Sequence, residues 1–263
     1  MRMRTLNAHS VAALLTVGLG LAAGQAGTAS GATFRVDPVK LELGQGRATA
    51  LVTVHNVGDD TLRLQVTGFR WEETPGGVMH LEPTEEIVFF PALLTVEAGK
   101  TKNVRVGTSL RPGAMEASFR LFFQELPPAE QQPGMGVRIL TRFGVPVFVL
   151  PLHPEHGLRV DPLPPAGGAQ RFRVVNTGTV HAMVREIRVS GRGASGKDLF
   201  HKRLQGWYIL AGGVRDYDLP LSSPERAGLV RLEVEVETEA GTVSGEFSVA
   251  SAAAPASPGT EGP

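Results

Sequence analysis

Apolar residues in this chain recur at every second position, and helix-period stripes with caps are absent through Pro151. Leu62, Leu64 and Val66 alternate with Arg63, Gln65 and Thr67, and the run continues to Trp71. The same alternation marks Phe34–Leu43 (Val36, Val39, Leu41, Leu43), Ala48–His55 (Ala50, Val52, Val54) and Lys102–Gly107 (Val104, Val106). Side chains of an extended strand point to opposite faces in turn, so this pattern buries one face and wets the other. Ile87–Phe90 and Leu94–Val96 are shorter apolar pieces, and Thr74-Pro75-Gly76-Gly77 reads as a turn. With 32 glycines and 19 prolines, the chain has the turn residues that many short strands require. About seven short strands at regular spacing predict an immunoglobulin-like β-sandwich.

Two strand-like runs, ASFRLFFQELPP (117–128) and VRILTRFGVPVFVLP (137–151), are joined by a polar loop, and the second contains Pro146. Proline has no N–H for a ladder, which predicts an edge strand rather than a central one. Long apolar edges invite pairing with other chains, and most proteins suppress them. Such an edge makes sense where pairing with another protein is the task.

Part of the pattern is written twice. Val36-Asp37-Pro38 precedes Val54-His55-Asn56-Val57-Gly58, and Val160-Asp161-Pro162 precedes Val174-Val175-Asn176-Thr177-Gly178. This predicts two domains of related architecture rather than a many-unit array. In the second half, strands are expected at 158–160, 171–175, 182–189, 208–210, 215–219, 229–237 and 242–249. LHPEHG, at 152–157, marks the hinge. The expected organisation is all-β: a signal peptide over 1–32, an N-terminal domain over 33–151, a C-terminal sandwich over 152–250, and a low-complexity tail over 251–263, expected to be disordered.

Arg2 and Arg4 precede an apolar run, Val11–Ala23, that is short for a membrane span, and small residues follow. This predicts export with cleavage after Ala32 or after Ala26 and no stable membrane insertion. The balance of 26 basic and 26 acidic residues, without blocks of like charge, argues against nucleic-acid binding. The chain has no cysteine, so disulfides, thiolate metal sites and thiol chemistry are excluded. His153 and His156 lack a third metal ligand at a typical spacing. No nucleophile–base motif or phosphate-binding loop is present, which predicts a non-enzymatic protein without a cofactor.

The stretches VDPVKLEL, VTVHNVGDDTLRLQV, FPALLTVEAGKTKNVRV, SFRLFFQELPP and FGVPVFVLP together resemble the periplasmic pilus chaperones. The resemblance is best in the first half and covers nearly the whole mature chain. It implies periplasmic residence and two immunoglobulin-like domains that hold fimbrial subunits and deliver them to an outer-membrane usher. It also implies a donor strand near Val137–Val149, with Val137, Ile139, Thr141 and Phe143 entering subunit pockets. Strand addition of this kind, of which chaperone–pilin complementation is an established instance, satisfies backbone groups and covers an apolar groove. The resemblance further implies two cations that hold the subunit's terminal carboxylate. Lys40 falls at one position, but Pro146 stands where the second, a lysine, is expected. Arg120 and Arg142 are the candidate replacements, since arginine suits a bidentate carboxylate contact. A basic residue expected before Pro151 is replaced by Leu150. The competing reading is an immunoglobulin-like structural or adhesive surface protein without a donor-strand cleft.

Overall fold

The computed structural model describes residues 34–127 and 139–249. The segment expected to be a signal peptide, the low-complexity tail and Val137 lie outside the described residues.

The first sandwich contains β1 (Phe34–Asp37), β2 (Leu41–Leu43), β3 (Thr49–Asn56), β4 (Leu62–Glu73), β5 (Met79–Pro83), β6 (Ile87–Phe90), β7 (Leu93–Val96), β8 (Thr101–Thr108), β9 (Ala117–Glu125) and β10 (Arg142–Val149). One sheet has the order β1-β3-β8-β6; the other runs β2-β10-β9-β4-β5, with β7 also on β4. The alternating residues meet between them. Leu41, Val52, Leu64, Val104, Phe119, Leu121, Val145 and Val147 are all buried in one core. Each such side chain stabilises the fold by about 1.5–3 kcal/mol relative to exposure.

The second sandwich contains β11 (Leu158–Ala166), β12 (Ala169–Asn176), β13 (Ala182–Gly193), β14 (Asp198–Gln205), β15 (Tyr208–Ile209), β16 (Val214–Pro220), a one-turn helix α1 (Ser223–Arg226), β17 (Leu229–Thr238) and β18 (Gly241–Ser248). Its sheets run β11-β12-β16 and β14-β13-β17-β18, with β15 on β13. Phe172, Val174, Ile187, Val234 and Val236 lie at its centre.

The repeated Asn-x-Gly has one structural meaning in both places. Asn56 Nδ2 donates to the carbonyls of Asp60 and Val96, both at 2.8 Å, and Gly58 N–H donates to Asn56 Oδ1. Asn176 Nδ2 donates to the carbonyls of Val180 (2.8 Å) and Ile209 (3.0 Å), and Gly178 N–H donates to Asn176 Oδ1. Each asparagine closes its own loop and ties it to a distant strand. Each is buried, where unpaired backbone carbonyls would be costly.

Three expectations about strands need correction. Phe34–Leu43 is not one strand. The Asp37–Pro38 peptide is cis, and the chain changes sheets there, β1 pairing with β3 and β2 with β10. β5 and β14 were not expected as strands, being rich in polar residues. Third, the strand with Pro146 is not wholly an edge. β2 runs parallel to its last three residues, pairing Val147 with Leu41 and Val149 with Leu43. From Pro146 back to Arg142, among the described residues, β10 has β9 on one side and no strand on the other.

Candidate interdomain anchor and donor edge

Leu150 N–H donates to Leu43 O at 2.8 Å, on the β2 side of the strand. Backbone groups alternate in an extended strand, so those of Phe148, Pro146, Gly144 and Arg142 face the same side. Pro146 therefore withholds a donor from the open edge, not from β9. It sits at the point where the β2 ladder stops and an unpaired edge begins.

The side chains at this point follow from the same alternation. Val145, Val147 and Val149 enter the core with Leu41, Leu43, Phe119 and Leu121. Lys40, Pro146 and Arg120 consequently face the other way. Pro146 pairs with Arg120, and Arg120 with Phe69. Lys40, one residue before the β2 ladder, falls level with Pro146. Lys40 and Arg120 thus flank Pro146 from its two neighbouring strands, about 10 Å apart at the backbone. Arginine and lysine side chains span that distance readily.

Arg120 is only 8 % exposed. Its guanidinium lies 4.4 Å from the Trp71 ring centre and 5.6 Å from that of Trp207. These are the chain's only two tryptophans. Nε of Arg120 is buried without a hydrogen-bond partner. Burial pulls the guanidinium below its ordinary pKa, against the opposing influence of Tyr208 and Glu73. One terminal nitrogen lies over Gly144. A Cβ there would come within 2.9 Å of the Phe122 ring and 3.4 Å of Arg120 Nη1, so glycine leaves room for both.

Lys40 Nζ is 3.0 Å from Glu42 and 3.1 Å from Glu239 of the second sandwich. Burial works to lower its pKa, but the two carboxylates prevail and hold the ammonium above its ordinary value. Tyr208 belongs to both cations' surroundings. Burial raises its hydroxyl's pKa, and the charges of Lys40 and Arg120 act to lower it. Its ring packs on Trp71 and Phe148 at 5.5 and 5.7 Å.

Arg142 is not part of this group. It lies four residues up β10 from Pro146, about 13 Å away, with its guanidinium 3.7 Å from the Phe122 ring centre. Of the donor-strand residues, Ile139 is 66 % exposed and precedes β10. Thr141 is half-buried and bonded to Glu125 through both its backbone groups. Phe143 packs against the core of its own sandwich.

Several residues of the joint were not anticipated. Glu116, just before β9, has a fully enclosed side chain, and His181 Nδ1 lies 2.8 Å from its Oε2. His181 N–H donates to Glu116 Oε1 at 3.2 Å, and Glu116 N–H donates to Thr179 O at 2.9 Å. The His181 ring stacks on Phe148 at 3.6 Å. On the other flank the Thr74–Val78 turn meets β16: Asp216 N–H donates to Pro75 O, and Arg215 packs against Gly77. Glu73 lies between Arg215 and Arg120 in its electrostatics, yet burial dominates and pushes its carboxyl up to about 7.

Glu73 makes stability depend on pH in a definite direction. Folded, it keeps its proton to about pH 7; unfolded, only to about its ordinary 4.5. The folded state binds more protons in between, so this contribution is complete below that window and lost as pH rises through about 7. Thermal unfolding from pH 5 to 8 should show a falling midpoint that Glu73→Gln flattens. An equal fall in both proteins would remove Glu73 as the cause.

Residues 33–154 match the family described as pili and flagellar-assembly chaperone, PapD N-terminal domain. The first sandwich matches the N-terminal domain of the PapD-like chaperones along its whole length. Similar solved structures agree in fold across both sandwiches. The YadV chaperone is 14% identical over 83% of this chain and 100% of its own, with a TM-score of 0.58. A structure of the CsuC–CsuE chaperone–tip adhesion subunit pre-assembly complex, from archaic chaperone-usher Csu pili of Acinetobacter baumannii, matches at 19% identity. It covers 82% of this chain and 98% of the other, with a TM-score of 0.55. A Salmonella enterica structure of the SafA pilin with the SafB chaperone matches at 12% over 82% and 96%, with a TM-score of 0.54. No curated protein sequence matches the chain. The PapD-like role is that of a chaperone rather than an enzyme.

Proposed function

We propose that this PapD-like protein works in the periplasm, lending the open edge of β10 to a pilus or fimbrial subunit and passing it to an outer-membrane usher. The observation that carries this reading is the handover at Pro146. There the β2 ladder ends, an unpaired edge begins, and Lys40 and Arg120 stand on either side. A subunit strand with its chain end at these cations runs parallel to β10 and pairs with the free groups of Gly144 and Arg142. Its terminal carboxylate meets an ammonium and a guanidinium, each a strong donor to an anion. Val137, Ile139 and Thr141 share the parity of the core residues Val145 and Val147, so they are the residues that would fill the subunit's groove. Arg142 lies too far up the strand for the anchor and fits better as a flanking contact. Phe143, already committed to its own core, marks where that core ends.

Ile139 offers the cleanest test because it contributes little to its own fold. Co-expressed with a pilin-like subunit encoded beside it, the unaltered chain should yield a one-to-one periplasmic complex. Ile139→Asp should lower complex recovery by about 10-fold, as burying a carboxylate in an apolar groove is costly, while leaving the melting temperature unchanged. A subunit equally stable without the chain, or equally well captured by Ile139→Asp, defeats the donor-strand reading.

A further inference from the structure

Lys40 is not a vacant anchor. Its ammonium is shared by Glu42, two residues on along the same strand, and by Glu239, which reaches it from the second sandwich. We propose that Glu239 is a resident competitor for the subunit's terminal carboxylate and so determines which chain ends the anchor accepts. This rests on the anchor role of Lys40 put forward above.

Three features support it. First, Glu239 is presented by a built turn. Thr238 and Gly241 pair across a two-residue hairpin connection between β17 and β18, Thr238 Oγ1 donates to Gly241 O at 2.8 Å, and Ala240 N–H donates to Thr238 Oγ1. The carboxylate is thereby held at Lys40 without further support; among the described residues it has no other hydrogen-bond partner.

Second, the charges do not permit simple addition. Lys40 and Arg120 together balance the two resident carboxylates, so a third carboxylate brings the anchor to a net negative charge and meets repulsion from the two already on Lys40. One must leave. Both carboxylates are partly exposed, Glu42 at 41% and Glu239 at 49%, but Glu42 is tied to Lys40 by adjacency in the chain, whereas Glu239 reaches it across the joint from a turn of the second sandwich. Departure costs Glu239 little because water is at hand.

Third, there is room. A cavity of about 330 Å³ adjoins the pair, walled by Leu150, Leu158, Met183 and Val243 and edged by Lys40 and Glu239. The arriving chain end and the departing carboxylate need not occupy the same space.

The consequence is selectivity. A stray carboxylate gains only an exchange of one ion pair for another at Lys40. A chain end attached to a strand that also pairs with β10 gains the backbone ladder and groove contacts as well, and only this one displaces Glu239. Removing the Glu239 charge should therefore favour weakly held carboxylates.

The test uses the full mature chain and a soluble strand peptide of alternating apolar residues, prepared with a free C-terminal carboxylate and with a C-terminal amide. Binding is measured by calorimetry. The unaltered chain should prefer the acid. Glu239→Gln should bind the acid about 3- to 5-fold tighter than the unaltered chain does and the amide equally well. Lys40→Ala should narrow the preference for the acid without abolishing it, since Arg120 remains, and adding Glu239→Gln to it should gain nothing further. If the unaltered chain prefers the acid but Glu239→Gln gains nothing, the competitor role is wrong and the anchor stands. If the unaltered chain does not distinguish acid from amide, or binds neither, the anchor reading falls and takes this inference with it.

Discussion

Replacing Glu116 by alanine is expected to lower the unfolding free energy by about 3 kcal/mol. The carboxylate is wholly enclosed and serves one partner residue twice, accepting from His181 N–H and contacting the His181 ring. Its removal leaves a buried backbone donor and a buried ring nitrogen unpaired, on a ring that stacks against Phe148. Leaving buried polar groups unsatisfied costs more than the net value of the bonds themselves. Because Glu116 belongs to the first sandwich and His181 to the second, the loss falls on the joint. Denaturant unfolding should shift to lower concentration and broaden as the sandwiches uncouple. Trp71 and Trp207, which sit beside the joint, make fluorescence a suitable probe. Glu116→Gln keeps an acceptor for His181 N–H and should lose only about half as much. An Ala variant as stable as the parent would show that this pair does not hold the sandwiches together.

The joint is also where the sequence was least readable. Glu116 and His181 are ordinary letters in unremarkable contexts, and nothing local connects residues so far apart. Tyr208, Glu73 and Glu239 were missed for the same reason. One signal was available: both tryptophans of an aromatic-poor chain gather around Arg120. Alternation, by contrast, was legible because it is a property of each strand alone. It named Val52, Val54, Leu62, Leu64, Val66, Val104 and Val106, all of them buried, but Ala50 is only half-buried and Trp71 is buried off the alternating parity. It could not say to which sheet a strand belongs, so the switch at Pro38 was invisible. It also failed in β14, where Phe200 is the only fully buried residue in a strand of charged and polar side chains. The donor segment exposes a deeper limit. Phe143 and Ile139 share one parity, and a strand that fills its own core and then another protein's groove shows the same pattern throughout. Only the packing of half-buried Phe143 against its own core and the exposure of Ile139 mark the change.

Arg120→Ala is expected to weaken capture of a cognate subunit by about 30- to 100-fold, roughly 2–3 kcal/mol. The warrant is the cross-strand pairing of Arg120 with Pro146, which brings a cation beside the position where β10 itself has none. A buried guanidinium contacting a carboxylate is worth far more than an exposed pair, because the carboxylate would otherwise be desolvated without compensation. Stability should respond differently. Arg120 gains contact with Trp71 but carries a buried charge and an unpartnered Nε, and these opposing terms leave a net change within about 1 kcal/mol. Loss of binding with little loss of stability is thus the signature of an anchor, and the reverse is the signature of a structural residue. Relocation sharpens the test. Adding Pro146→Lys to Arg120→Ala returns a cation to the same cross-strand row and restores an N–H to the open edge. It should recover at least about 10-fold of the lost affinity. Recovery would establish that the row needs a cation at this level, on whichever strand it is carried. Unchanged binding by Arg120→Ala would leave Lys40 as the sole anchor, and then the affinity of the complex must come chiefly from the strand itself.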